Sequence, residues 1–246
     1  MSTIAIIQAR MGSERLPGKV LLPLCGKPML LHSIVRLKRC RSLDRIVIAT
    51  GDRKENQPIL ELARAEGVEG FAGSENDVLD RYCQAADRYK PQHVVRCTGD
   101  CPMLDPNIIE RIIKTHVDGG FDYTSNTLER SYPRGYDTEV MTFASLKKAA
   151  SEARVPYERE HVTPYIWEHP SWFKLGQVRA KSDQMQPTLR VTVDTPEDFR
   201  FIQEIFEALY AQDHFFGIDS VMALVRRRPE LIVNSHVQQK TFKADA

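Results

Sequence analysis

The chain has no excess of charge of either sign. Its 34 Lys and Arg stand against 33 Asp and Glu, a formal net charge of +1. Dedicated nucleic-acid binders carry a marked basic excess, so no nucleic-acid partner is expected. Long apolar runs are missing too. A membrane-spanning helix needs about eighteen consecutive apolar residues, and no stretch approaches that, so no membrane partner is expected. The N-terminus lacks the charged-then-apolar pattern of an export signal, and the expected compartment is the cytoplasm. Cysteine is sparse, with 5 residues at irregular spacing. Cys97 and Cys101 have no second Cys or His pair to complete a zinc site, so reduced, mostly buried thiols are expected.

Two nucleotide-loop signatures are also absent. There is no G-x-G-x-x-G dinucleotide fingerprint. A Walker A loop is ruled out by the spacing between Gly12 and Gly18, by Pro17, and by Val20 where a magnesium-binding Ser or Thr would stand. That disfavours a P-loop NTPase.

What is present is a globular composition, 42% hydrophobic and 27% charged over 246 residues, without repeat, low-complexity segment or linker. We read residues 1–246 as a single domain. Apolar runs alternate with amphipathic ones, which predicts an α/β, three-layer fold: a mostly parallel sheet with helices on both faces. Strands are predicted at 3–9, 45–50, 93–97, 137–142, 172–180 and 189–193. Helices are predicted at 28–39, 58–66, 77–89, 106–117, 143–153, 196–210 and 218–227, with Asp77 as a cap. The stretch 130–187 is rich in prolines and aromatics, and it reads equally as an excursion from the sheet or as a long surface loop.

The most informative segment is the first. The apolar run Ile4-Ala5-Ile6-Ile7 opens through Gln8-Ala9 into a loop that carries Arg10, Gly12, Arg15, Gly18 and Lys19. Glycines let a backbone approach an anion closely, and fixed cations neutralise it. The pattern points to a phosphate seat, with Gly12 and Ser13 N–H groups as an anion nest. A cation about 4 Å from a phosphate oxygen is worth roughly 4 kcal/mol at an effective dielectric near 20, so two or three matter to a reaction barrier. Asp100 and Asp194 each follow an apolar run and offer carboxylates near a strand end, where open sheets bind ligands. Asp194 also stands where an ordinary helix begins, before Thr195-Pro196-Glu197; beside the N-terminal loop, the metal role is the stronger reading. Asp198, one turn on, reads as a helix-face charge.

These motifs resemble a known family. Gln8-Ala9-Arg10-Met11-Gly12-Ser13, Arg15-Leu16-Pro17-Gly18-Lys19 and Gly26-Lys27-Pro28-Met29-Leu30 are similar to the opening of the cytidylyltransferases that make CMP-activated sugar acids. Those are the CMP-Kdo and CMP-sialic acid synthetases, with the spore-coat polysaccharide protein F group as the nearest look-alike. The likeness runs from residue 4 to about 205. It implies a nucleotidyltransferase (glycosyltransferase-A-like) fold, with a dimerisation arm at roughly 130–187 that helps to form a homodimer. It implies CTP and a sugar acid as substrates, CMP transfer with pyrophosphate release for surface polysaccharide or glycan synthesis, and Mg²⁺ as cofactor.

The resemblance assigns Arg10 and Lys19 to the CTP phosphates, and Asp100 and Asp194 to the metal. Around the nucleotide it adds Ala9, Gly12, Ser13 and Arg15. It also adds Gly73, Ser74, Asp77 and Arg81, in a segment that departs from the Kdo enzymes' His-x-Ser-Gly-Thr-Asp-Arg form. The acceptor is expected to meet Asp137, Glu139, Arg159 and His161, with Arg159 pairing a carboxylate. His161 rests on the resemblance. Two alternatives stay open: an enzyme acting on a sugar or polyol phosphate, against which Arg10-Met11 argues, and a non-catalytic nucleotide-binding subunit.

Overall fold

Residues 4–7, 46–49 and 94–95 are apolar without interruption, a pattern that demands cover on both faces of a sheet. The computed structural model, which describes residues 2–237, supplies that cover. In chain order, β1 (Thr3–Gln8) leads through a loop and a 3₁₀ turn at Lys19–Leu21 to a short hairpin, β2 (Pro23–Leu24) and β3 (Lys27–Pro28). Then come α1 (Met29–Leu37), β4 (Arg45–Gly51), α2 (Gln57–Ala65), β5 (Glu69–Gly73), α3 (Val78–Asp87), β6 (His93–Thr98) and α4 (Pro106–Gly119). The remainder supplies β7 (Tyr123–Ser125), β8 (Glu139–Thr142), α5 (Phe143–Glu152), α6 (Pro156–His161) and α7 (Pro164–Trp167). It ends with β9 (Leu175–Gln177), α8 (Pro196–Leu209) and α9 (Ile218–Arg227).

The main sheet has 7 strands in the order β5-β4-β1-β6-β8-β7-β9. Only β8 runs against the rest. Alternate residues of the central strands serve two separate cores. Ala5, Ile7, Ile48 and Val95 pack with Leu30, Ile34, Ile109 and Phe201 on one side. Ile4, Ile6, Val47 and Val94 pack with Leu79, Tyr82, Leu146 and Ile166 on the other. The three-layer α/β reading holds. Among the described residues no helix is long and apolar enough to cross a membrane.

After β1 the chain builds outward through β4 and β5, then returns to place β6 on the other side of β1. The carboxyl ends of β1 and β6 therefore flank the point where the strand order reverses, and there an open sheet forms a crevice. Gly99 closes the approach. Its N–H donates to the Gln8 carbonyl at 2.8 Å, and a Cβ there would lie 3.0 Å from that of Ala9.

Several expectations are revised. The alternation at 189–193 does not make a strand; it forms one bridge, Arg134 to Arg190, although Leu189, Val191 and Val193 are buried as the pattern demands. The strand at 172–180 contracts to β9. Within 130–187, β8 and β9 join the main sheet rather than leaving it, and Tyr132 and Tyr136 are buried in the core. Tyr165 and Phe173 are buried in the other core, so the aromatics of this stretch serve both layers.

Candidate active site

The loop after β1 is folded around one carbonyl. The Met11 oxygen accepts from the N–H groups of both Ser13 and Gly18 at 2.9 Å. Ser13 N–H is thus used within the loop, not held out as part of an anion nest. The Met11 N–H donates to Asn56 Oδ1 at 2.9 Å, and the buried Asn56 amide donates in turn to Glu75 and to the Gly51 carbonyl. Loop and neighbouring strand ends are therefore one hydrogen-bonded unit. Gly18 takes a left-handed conformation (φ 69°), which suits glycine, and turns the chain so that Lys19 points inward.

Lys19 is buried and forms a three-way junction. Its ammonium donates to the Val193 carbonyl at 2.6 Å, to Asp194 Oδ1 at 2.8 Å and to Asp100 Oδ2 at 3.2 Å. Burial opposes the charge, but the two carboxylates outweigh it and hold the Lys19 pKa above its usual value. Asp194 shows the converse. Burial pushes its pKa up, and Lys19, Arg190 and Arg15 together bring it below the ordinary carboxylate value. Arg15 reaches Asp194 at 3.1 Å.

Asp194 is itself held in place. Asp198, fully buried, accepts the Asp194 and Thr195 N–H groups at 2.9 and 3.1 Å. It also accepts Arg190 Nε at 2.9 Å and the Asn234 amide at 2.8 Å. Arg190 donates to Asp194 as well. Asp198 is thus the pivot of a buried network rather than a helix-face charge. Its place three residues after Thr195 makes it the second member of a capping box, and both carboxylate duties draw it inward.

This junction opens onto a cleft of about 670 Å³. Ala9, Arg10, Ser13, Arg15, Arg81, Asp137, Glu139 and His161 line it, as do Lys19, Asp100 and Asp194. Arg10 is exposed. Arg81 is buried and donates to the Ser74 carbonyl at 2.5 Å. On the floor, Arg96 and Glu139 form an ion pair, and Glu139 also accepts Tyr123 Oη at 2.5 Å and Thr163 Oγ1 at 2.6 Å. Asp137 is clamped by Arg130 through two bonds of 2.6 and 2.9 Å.

Arg159 stands apart from the cleft lining. Its Nε and Nη2 both reach Asp77 Oδ2, at 3.0 and 2.6 Å, and its Nη1 donates to the Ala150 carbonyl at 2.7 Å. The other Asp77 oxygen caps α3 through the Asp80 N–H at 2.9 Å. Arg159 and Asp77 thus bind three helices together, and the expected carboxylate fork is already taken. Gly73 and Ser74 support that helix start from behind: a Cβ on Gly73 would meet Phe71 at 2.8 Å, and Ser74 Oγ accepts the Asp77 N–H at 3.0 Å. Gly12 lies in the loop but outside the lining. Arg96, Arg130 and Arg134 also line the cleft, and nothing local in the sequence marks them, because only the tertiary fold brings them together.

The residues suit a hard cation. Asp100 follows the end of β6 and Asp194 precedes α8, and the two converge on one ammonium, which stands in for a metal cation. Mg²⁺ uses one or two carboxylates and completes its shell with phosphate and water. Among the described residues no group of three or more His, Cys, Asp or Glu side chains could hold a metal unaided, so a substrate would supply the remaining ligands.

A cleft lined by basic side chains and paired carboxylates, at the switch point of a mostly parallel sheet, is the architecture of an α/β nucleotidyltransferase. The cytidylyltransferase family model matches residues 4–222, and the chain belongs to that family. It is 38% identical over 231 residues to the spore coat polysaccharide biosynthesis protein SpsF of Bacillus subtilis, covering 92% of this chain and 94% of that one. It is 37% identical over 151 residues to the 3-deoxy-manno-octulosonate cytidylyltransferase of Anaeromyxobacter dehalogenans, 60% of each chain. The structure of a cytidylyltransferase from Leptospira borgpetersenii is similar with a TM-score of 0.90 and 32% identity, over 98% of this chain and 99% of that one.

Proposed function

We propose that this enzyme transfers CMP from CTP to a hydroxyl group of a sugar acid, releasing pyrophosphate, in the synthesis of a surface polysaccharide or glycan. The observation that carries the reading is the Lys19 junction, where one cation and two carboxylates meet below a loop bearing Arg10 and Arg15. The Bacillus relative is named for polysaccharide biosynthesis and the Anaeromyxobacter relative for a cytidylyltransferase acting on a sugar acid. The first name supports the pathway and the second the chemistry.

In this reading Arg10, Arg15 and Lys19 bind the triphosphate and neutralise charge that builds on the departing pyrophosphate. Lys19 turns from its carboxylates to the phosphates as the nucleotide arrives. Asp100 and Asp194 would hold Mg²⁺, which when bound supplies Lewis-acid neutralisation of phosphate oxygens. Ala9, Ser13 and Arg81 contact the nucleotide, and Gly12, Gly73, Ser74 and Asp77 shape the walls behind it. Asp137, Glu139 and His161 face the acceptor, whose hydroxyl must be held in line with the leaving group. A CTP-consuming enzyme of this kind works in the cytoplasm, and we assign it a homodimer through the stretch 130–187.

The test is a pyrophosphate-release assay of CTP, UTP, ATP and GTP against sugar acids and sugar phosphates, with Mg²⁺. CTP with a sugar acid is the expected pair. Efficient use of a sugar 1-phosphate with no sugar acid accepted would overturn the reading.

A further inference from the structure

The basic side chains of the cleft divide into those already matched and those not. Arg15 is paired with Asp194, Arg96 with Glu139, and Arg130 with Asp137. Arg81 is buried and gives its Nη1 to the Ser74 and Glu75 carbonyls, although its Nε has no partner among the described residues. Arg10 and Arg134 line the cleft without a side-chain hydrogen bond or ion pair to any of the described residues. Arg10 is exposed, where water satisfies a guanidinium. Arg134 is half-buried. Withdrawing an unmatched charge from water is costly, so a half-buried, uncommitted guanidinium beside a cleft is a seat for an anion.

The seat is built rather than incidental. Arg134 N–H donates to the Leu189 carbonyl at 2.9 Å, and its own carbonyl accepts the Val191 N–H at 2.7 Å. Gly135, at φ 116°, lies so close that a Cβ would come within 2.5 Å of the Val191 oxygen. The backbone beneath Arg134 is thus fixed from both sides. Its electrostatic neighbours are Arg130, Asp137, Arg190 and Asp194. Both of these cations already hold carboxylates of their own.

We propose that Arg134 receives the carboxylate of the acceptor, which makes it a specificity-determining residue for sugar acids. The proposal rests on the sugar-acid reading above. Its chemistry is that of a planar fork meeting a planar carboxylate through two charge-assisted bonds. Asp137, clamped by Arg130 and lining the same cleft, accepts hydrogen bonds from the hydroxyl groups of the same molecule. The triphosphate is served instead by Arg10, Arg15 and Lys19 on the loop after β1, so the cleft holds two anion seats of different shape. Arg159, locked to Asp77, leaves the acceptor carboxylate to Arg134.

The experiment pairs Arg134→Ala and Arg134→Lys with two acceptors, the sugar acid and its C1 carboxamide, at saturating CTP and Mg²⁺. Wild-type enzyme should favour the acid by roughly 10- to 100-fold in kcat/KM, the scale of a lost hydrogen bond to a charged group. Arg134→Ala should abolish that preference and raise the KM for the acid while the KM for CTP stays within about 2-fold. Arg134→Lys restores the charge without the fork and should recover part of the preference; it also serves if the alanine variant does not melt cooperatively. An undiminished preference in a folded, active variant overturns the proposal. A rise in CTP KM in place of acceptor KM also overturns it and marks Arg134 as a phosphate ligand. Wild-type enzyme that turns over only sugar phosphates defeats the underlying reading, and it does so before any variant is made.

Discussion

Lys19 and Asp194 lie 175 residues apart in the chain, and their side chains meet at 2.8 Å. The contact joins the loop after β1 to the start of α8, so the buried cation of the loop and the carboxylate nearest it are set by one bond. Lys19→Met keeps the apolar stem and removes the charge. Pyrophosphate release should fall by at least about 100-fold. The melting temperature should also fall, because the Val193 carbonyl loses its donor, at a cost of about 1–3 kcal/mol. Near-wild-type turnover would exclude Lys19 from the phosphate site.

The two aspartates of α8's first turn should separate stability from activity. Asp198→Asn removes the fully buried one of Arg190's two carboxylate partners and leaves only the partly exposed Asp194, a cost approaching the about 3–5 kcal/mol of a broken buried pair. Asp194→Asn removes a partly exposed carboxylate, and Asp198 still matches Arg190. It should melt closer to wild type yet lose most activity, with partial recovery at high Mg²⁺. Thermal melts and turnover of both variants decide this, and the opposite ranking would undo the assignment.

Excess EDTA should stop pyrophosphate release by the wild-type enzyme, and added Mg²⁺ should restore it. Undiminished turnover in EDTA would remove the metal role from Asp100 and Asp194 together.

Stability should fall in mild acid. Burial pushes His32 and His116 down to about 4, with Arg36 and Lys27 acting on the first and His93 on the second. In the unfolded chain histidine titrates near 6.5. Between those values the unfolded state binds protons that the folded state refuses, so stability is full above pH about 6.5 and declines towards pH 4. The loss approaches roughly 3 kcal/mol per histidine. Urea midpoints at pH 7 and pH 5 measure the slope. His116→Gln should flatten it, and an unchanged slope would show that His116 does not contribute.

Arg159→Ala should act on the fold rather than on the acceptor. It frees the Ala150 carbonyl and one Asp77 oxygen, so the melting temperature should drop while the KM values for acceptor and CTP keep their ratio. A selective rise in acceptor KM would return Arg159 to the substrate site.

The layered fold was legible because strands covered on both faces must be apolar throughout, and helices covered on one face must be periodic. The Arg10–Lys19 loop was legible because its residues are contiguous. Asp100 and Asp194 were legible as carboxylates placed after apolar runs. Arg134 and Arg190 were not, since neither belongs to a local motif, and their proximity comes from a single bridge between segments over 50 residues apart. Asp198 carried a capping-box signal that was available in Thr195-Pro196-Glu197-Asp198, but its full burial depends on Asn234 and Arg190. Arg159 had the correct chemistry for a carboxylate and found one in Asp77.

The Arg96–Glu139 pair on the cleft floor is also a rung of the antiparallel ladder between β6 and β8, where the two residues stand directly opposite. A slip of one residue along that ladder would carry Glu139 to the far face of the sheet and leave Arg96 on the cleft floor without its counter-charge. The same charges that furnish the cleft therefore proofread strand alignment, and a wrongly aligned sheet is penalised before any substrate is met.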